Sequence, residues 1–272
     1  MTLVSTDWLN ENLDKVKVID ASWHLVKNRN AIEEYNKEHI ENAIFFDLDK
    51  NSDQRKDLPH GHFLPSASDH EKNISEIGIL NTDEIIIYCN SDLISSCRAW
   101  FQFIYFGHDP KLVSVLNGGM KKWKLEGKKV TNLKTKINQS KYKPNENKNM
   151  IKIKSQIDEN IKKKDFTVLD ARSKNRFLGL EPEPRPGIKS GSIEESKSMP
   201  LSEIINVKDN TFLDTKKLSD IFNSIGISSN KIVMSCGSSV SAASLALAYS
   251  LINDDYIPKI YIGSWTEFGK NK

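Results

Sequence analysis

The sequence predicts an α/β protein built from two tandem copies of one domain, each a parallel sheet with helices on both faces. Three observations predict it. Short apolar, β-branched runs at 16–20, 43–46, 85–88, 112–116, 166–170 and 231–235 alternate with helical patterns. That alternation calls for crossover connections and parallel pairing. The same signals also occur twice in the same order. Asp20-Ala21-Ser22 answers to Asp170-Ala171-Arg172, Gly78-Ile79 to Gly226-Ile227, and Leu116-Asn117-Gly118 to Tyr261-Ile262-Gly263. The run Ile85-Ile86-Ile87-Tyr88-Cys89 likewise answers to Ile232-Val233-Met234-Ser235-Cys236. Between the halves, residues 128–149 turn to Lys, Asn, Thr and Gln with little apolar content, as a linker does. The expected domains are therefore 1–127 and 150–272.

Composition agrees with two ordinary domains. The 272 residues exceed one typical core, and 38% hydrophobic with 28% charged residues suits a soluble globular chain. The net charge of +3 is small and the lysines are scattered, so no nucleic-acid partner is expected. Cys89, Cys97 and Cys236 cannot form a fully paired disulfide framework, and no Cys/His spacing resembles a zinc site. A reduced compartment without metal or cofactor is expected. The N-terminal residues lack a basic run followed by an apolar one, and nothing approaches the ~20 apolar residues of a membrane span. A cytoplasmic monomer with no membrane partner is the expectation.

In chain order, the strand at 16–20 ends on Asp20 and opens the loop Ala21-Ser22-Trp23-His24-Leu25. A helix at 31–39 follows, and a buried strand at 43–46 delivers Asp47 and Asp49 to its carboxyl end. Pro59, Gly61 and Pro65 make 50–68 a loop, which carries His60 and His62. A helix to Ile77, a turn at Gly78 and the strand at 85–88 lead to Cys89. A helix over 95–106, a strand over 112–116 and the turn Asn117-Gly118-Gly119 close the first half. The second half opens on the strand 166–170, the loop Ala171-Arg172-Ser173 and a polar segment with Pro182, Pro184, Pro186 and Gly187. Ligands of open parallel sheets bind at the carboxyl ends of strands, where Asp20, Cys89, Asp170 and Cys236 all lie. Two copies facing each other would share one cleft.

The strand at 231–235 stops at Cys236, and apolar positions then recur with a helical period at Val240, Ala243, Leu247 and Leu251. First-turn amides and the positive end of a helix dipole stabilise an anion at such a junction, which makes Cys236 a candidate nucleophile. A buried structural cysteine is the alternative. The loop Cys236-Gly237-Ser238-Ser239-Val240-Ser241-Ala242 holds no charged side chain. Small residues let its backbone curl so that several amides point inward and nest an anion. A Cys-x5-Arg phosphatase needs arginine at position 242, and Ala242 argues against phosphoryl transfer. A Cys-His pair would need an imidazole that His62 could bring in space, unless that histidine stays on a surface loop. Arg176 and Arg185 flank the segment 177–184, and two guanidinium forks near a cleft suit a small anionic substrate. Singly, each is equally a solvated arginine or a partner of Glu181 or Glu183.

Together these motifs resemble the two-domain rhodanese-like sulfurtransferases, and among them the branch that uses 3-mercaptopyruvate. The resemblance runs nearly end to end. It is carried by Asp170-Ala171-Arg172-Ser173 with Arg176-Phe177, by Glu181-Pro182-Glu183-Pro184-Arg185-Pro186-Gly187, by Cys236-Gly237-Ser238, and by Gly263-Ser264-Trp265-Thr266-Glu267-Phe268. In the first half Phe45-Phe46-Asp47-Leu48-Asp49, Phe106-Gly107-His108-Asp109 and Leu116-Asn117-Gly118-Gly119 add to it. The resemblance implies that Cys236 attacks the sulfur of 3-mercaptopyruvate, becomes a persulfide, and passes the sulfur to a thiol, thioredoxin or cyanide with release of pyruvate. It implies that Arg176 and Arg185 grip the donor's carboxylate and ketone, and that Gly237, Ser239, Val240 and Ser241 line the donor with loop backbone. Asp49, His62 and Ser238 match a proton relay, His62 being preferred to His60 because His62-Phe63-Leu64-Pro65 better fits the family's His-x-Leu-Pro.

Thiosulfate sulfurtransferase is the close rival. Its loop carries basic side chains where this one has Gly237 and Ser238, so charge favours mercaptopyruvate. Four departures stand out, the mildest being Ser241 in place of the family's threonine. Ser239 replaces the family's glycine, and its Cβ would crowd the nest if that position needs positive φ. Gly191-Ser192-Ile193-Glu194-Glu195-Ser196 replaces Gly-His-Ile-Pro-Gly-Ala. Cys89 stands where the family's first domain has aspartate, in an acidic loop, Asn90-Ser91-Asp92-Leu93, that opposes a thiolate and suggests a structural cysteine.

Overall fold

Two five-stranded parallel sheets carry the chain, and their strand orders match rank for rank. The computed structural model describes residues 2–25, 28–227 and 229–270. The first sheet runs β1 (Leu3–Val4), β5 (Val113–Leu116), β4 (Ile85–Tyr88), β2 (Lys17–Asp20), β3 (Ile44–Phe45). The second runs β6 (Ile151–Lys152), β12 (Ile260–Tyr261), β11 (Ile232–Ser235), β7 (Thr167–Asp170), β8 (Lys197–Ser198). Two further short strands, β9 (Ile205–Asn206) and β10 (Thr211–Phe212), pair only with each other. The sequence repeat is thus a repeat of topology. Two compact units result, one comprising 1–54, 64–147 and 206–212, the other 55–63, 148–205 and 213–272.

In the first unit the helices are α1 (Thr6–Asn12), α2 (Ala31–Lys37), α3 (Ala67–Glu76), α4 (Ser96–Tyr105) and α5 (Gly119–Leu125). Ser5, Asn30 and Ser66 start the first three, each side-chain oxygen accepting an amide of the first turn. Ile86 and Tyr88 of β4 join Val18, Leu116, Leu9, Met120 and Trp123 in one core, on the side of α1 and α5. The pleat turns Ile85 and Ile87 to the opposite face, where α4 packs on β4 and β5. The polar run after Gly127 is seated on this unit. Thr131 and His39 exchange backbone hydrogen bonds, Thr135 Oγ1 donates to the Ala43 carbonyl, and Tyr142 is buried.

The second unit carries α6 (Lys154–Lys163), α7 (Lys174–Leu178), α8 (Thr215–Ser224), α9 (Val240–Ser250) and α10 (Ser264–Phe268). Val168, Val233, Tyr261, Ile157, Ile193 and Trp265 make one face of its core, and α9 packs on β11 and β12. The sequence period predicts an apolar stripe on α9. Instead every residue from Val240 to Tyr249 is buried, because Ala and Ser at most of the remaining positions let the helix sit inside the unit.

Asp20 and Asp170 end β2 and β7, opposite Tyr88 and Ser235. Asp170 has an arginine partner, described below, whereas Asp20 accepts from the amide and hydroxyl of Ser22. Burial pushes the Asp20 carboxyl up to about 6, against the opposing pull of its bonds to Ser22 and Tyr88 and of nearby His39. The folded state therefore holds this proton to higher pH than the unfolded chain. Its contribution is fully present below pH 3.8 and is lost as pH rises through about 6. The first unit should lose about 3 kcal/mol over that interval. Asp20→Asn should flatten this dependence, as read by urea unfolding with amide exchange on β2 and β4.

Candidate active site

Cys236 follows the last residue of β11, and α9 begins four residues later at Val240. Only three residues turn the chain, so the sulfur-bearing residue lies directly under the helix N-terminus, and it is 2% exposed. Val240 and Ser241 contribute first-turn amides, which a helix leaves without intrahelical acceptors. Ser239 takes the left-handed conformation at φ 62° and ψ 6°, the positive φ at which a Cβ is unfavourable. The penalty relative to glycine is about 1–2 kcal/mol. Its hydroxyl is used, donating to the His62 carbonyl at 3.3 Å.

Ser264 organises the loop from the start of α10. Its Oγ accepts the amides of Cys236 at 3.4 Å and Ser239 at 3.1 Å and donates to the Tyr261 carbonyl at 3.0 Å. The loop carbonyls are held from the same helix. Trp265 N donates to Cys236 O, and both the amide and the hydroxyl of Thr266 donate to Gly237 O. With its carbonyls tied outward, the loop has its remaining amides free to face the sulfur. The motif at 263–268 was visible in the sequence, but the part played by Ser264 and Thr266 required the fold.

His62 lies in the first half of the sequence and belongs to the second unit. It is buried rather than on a surface loop. Its Nδ1 is 3.1 Å from Ser238 Oγ, which also accepts from Arg185 Nη2 at 3.0 Å. Because Arg185 can only donate, the serine's own proton is free to point at the imidazole. His60 holds the segment in place. Its Nδ1 accepts the His62 amide, which leaves Nε2–H to donate to the Ile262 carbonyl at 3.0 Å. His60 is therefore a support for His62.

Arg176 and Arg185 both come to Gly237: a Cβ built there would stand 3.2 Å from Arg176 Nη2 and 3.6 Å from Arg185 Nη1. Of the two acidic neighbours, only Glu183 pairs with Arg176, accepting from Nε at 3.2 Å and Nη2 at 2.5 Å. Glu181 instead accepts from Ser173 and Asn175. Glu183 also accepts from Arg172 Nη1 at 2.7 Å. Arg172 grips Asp170 through Nε and Nη2, donates to the Gly191 carbonyl, and stacks on Trp265 at 4.6 Å. Burial works against the charge on Arg172, yet its bonds and proximity to Asp170 and Glu183 hold its pKa above the ordinary arginine value. Among the described residues Arg185 makes no ion pair. Burial lowers its pKa, the Cys236 sulfur pulls it back, Arg176 lowers it again and Glu183 opposes that.

Asp49 belongs to the first unit, where its carboxylate accepts from Trp23 Nε1 at 3.1 Å. Cys89 is buried with Sγ 3.4 Å from Ser96 Oγ. Its loop differs from its counterpart in length as well as charge, since the residue capping α4, Ser95, comes six positions after Cys89 while Ser239 comes three after Cys236. Among the described residues no group of three or more His, Cys, Asp and Glu is placed to hold a metal.

A doubly repeated five-stranded parallel sheet with a cysteine loop under a helix N-terminus defines a rhodanese-like protein, and residues 5–126 match the family model described as the Rhodanese-like domain. The Arabidopsis thaliana protein named thiosulfate/3-mercaptopyruvate sulfurtransferase 1, mitochondrial, is 36% identical over 98% of this chain and 75% of its own. The 3-mercaptopyruvate sulfurtransferase of Mus musculus is 33% identical over 98% of this chain and 91% of its own. The crystal structure of SseA from Escherichia coli, reported in connection with the rhodanese fold and mechanism of 3-mercaptopyruvate sulfotransferases, superposes with a TM-score of 0.86 at 29% identity, covering 97% of this chain and 99% of its own. The chain belongs to the two-domain rhodanese-like sulfurtransferase family.

Ser264→Ala removes the acceptor for two buried amides, at a cost of roughly 1–3 kcal/mol. The expected outcome is a lower thermal midpoint together with slower alkylation of Cys236 by iodoacetamide, read by mass spectrometry of the labelled peptide.

Proposed function

We propose that this sulfurtransferase takes its sulfur from 3-mercaptopyruvate and carries it as the sulfane sulfur of a Cys236 persulfide. The observation that carries the reading is the charge around Gly237: of the two guanidiniums that reach it, Arg176 is neutralised by Glu183, while Arg185 makes no ion pair among the described residues. One net positive charge beside the cysteine suits a donor with a single carboxylate. A dianion such as thiosulfate would want a second. Gly237 and Ser238 add no charge, and a basic side chain at Gly237 would start beside two guanidiniums, its Cβ 3.2 Å from Arg176 Nη2, and so add like charge to them.

In this reading the Cys236 thiolate attacks the donor's sulfur. The Cys236–S bond forms, the donor's C–S bond breaks, and its electron pair passes to the methylene carbon as the enolate of pyruvate. Protonation of that carbon releases pyruvate. Ser238 and His62, joined by a hydrogen bond, supply the proton. The amides of Gly237, Val240 and Ser241 cradle the persulfide, with Ser239, its own amide held by Ser264, shaping the turn between them, and the tied carbonyls of the loop are the support. An acceptor thiolate, of a small thiol or a thioredoxin-type protein, then attacks the outer sulfur and Cys236 leaves as thiolate. Cyanide serves in the same way. The described cysteines are all free and buried, which supports a reducing compartment, in this reading the cytoplasm. Among the described residues no helix is long and apolar enough to cross a membrane, and the chain acts as a monomer in this reading.

Protein supplied with 3-mercaptopyruvate and a thiol should release pyruvate and show a 32 Da persulfide increment on Cys236 by intact mass (about the mass of one sulfur added in a covalent intermediate). Cys236→Ser should abolish both. Turnover with thiosulfate equal to or above that with 3-mercaptopyruvate would overturn the donor assignment. A persulfide without turnover would indicate a carrier rather than an enzyme.

A further inference from the structure

We infer that Glu183 sets the charge class of the sulfur donor, favouring a monoanion over a dianion. The inference deepens the donor assignment above and rests on it. The Glu183 side chain is 2% exposed, so its carboxylate is held out of water and its charge acts at close range. Both of its oxygens are occupied by arginine. Oε1 accepts from Arg172 Nη1 and Arg176 Nε, and Oε2 accepts from Arg176 Nη2.

Arg172 does not need Glu183 to be neutralised. Asp170 already takes its Nε and Nη2, with N–O distances of 2.7–3.0 Å, and the Trp265 ring and the Gly191 carbonyl fix it further. The four groups Asp170, Arg172, Glu183 and Arg176 form an alternating row whose charges cancel. Arg176 is the end of that row nearest the cysteine loop, and it reaches Gly237 with its charge already offset by Glu183. Arg185 alone remains to attract an anion. Removing the carboxylate of Glu183 while keeping its shape would leave Arg176 uncompensated at Gly237, and the site would then present two positive charges to an incoming donor. Glu183 therefore acts through Arg176, as a positioning and selectivity residue, without touching the donor.

The test compares the parent with Glu183→Gln, Glu183→Asp and Arg176→Gln. Sulfate and pyruvate serve as dianionic and monoanionic inhibitors of persulfide formation, beside kcat/KM for thiosulfate and 3-mercaptopyruvate. Glu183→Gln should shift the ratio of inhibition constants and the donor ratio toward the dianion by about tenfold or more, chiefly through Ki and KM, with the shift diminishing at high salt. Glu183→Asp should keep the parent ratio even where the rate falls. Arg176→Gln, which leaves Glu183 uncompensated, should move the ratio the opposite way and supplies the result if Glu183→Gln does not fold. Ratios within about twofold of the parent in a folded Glu183→Gln, or in Arg176→Gln, would overturn the inference. A parent that prefers thiosulfate would overturn the donor assignment instead, while the sulfate-to-pyruvate ratio would still report on Glu183.

Discussion

An alternating row of buried charge, Asp170 to Arg172 to Glu183 to Arg176, is the constraint on which the site depends. It begins at the carboxyl end of β7 and ends against the cysteine loop. It fixes the position of Arg176, and through the stacking of Arg172 on Trp265 it braces α10, the helix that ties down the loop carbonyls. Buried ion pairs give little net stability against apolar substitutes, because desolvation offsets most of the attraction. Their value here is geometric: a fork of five N–H donors meets a planar carboxylate in few orientations, so the row transmits position from a strand end to the sulfur.

The two halves share one strand layout and differ by a few local changes. At the end of β2 Ser22 occupies the place that Arg172 takes after β7, so Asp20 is left with hydroxyl and amide donors and burial raises its pKa. Three further residues between Cys89 and its helix cap lengthen the loop, and its amides are no longer arranged as those that follow Cys236. The first half has the sheet without the charge pairing and the tight turn on which an anionic sulfur would rely.

Much of this was legible in the sequence. Strand positions, the twofold repeat and the junction at Cys236 followed from apolar runs and small residues, because sheet interiors and tight turns constrain composition strongly. Ser239 was singled out as a residue with a Cβ where glycine is usual, and the backbone there does take positive φ. Glu183 was weighed only as one of two local partners for the arginines, and the sequence did not choose between it and Glu181; Ser264, Thr266 and His60 were not assigned parts, since their roles are hydrogen bonds between residues far apart in the chain, which no local pattern encodes. The full burial of α9 was missed for a related reason: a helix rich in Ala and Ser has too little contrast between its faces to announce what surrounds it.

His62 and its support His60 lie in a nine-residue stretch, 55–63, that clusters with the second unit, while 206–212 clusters with the first. Each unit thus borrows a piece of chain from the other half of the sequence. Ser238 waits on a partner 176 residues away. No single cut of the polypeptide yields either unit whole, and during synthesis the first unit cannot close until 206–212 has emerged. The chain carries two similar sheets, but the exchange of short segments makes neither of them a separable module.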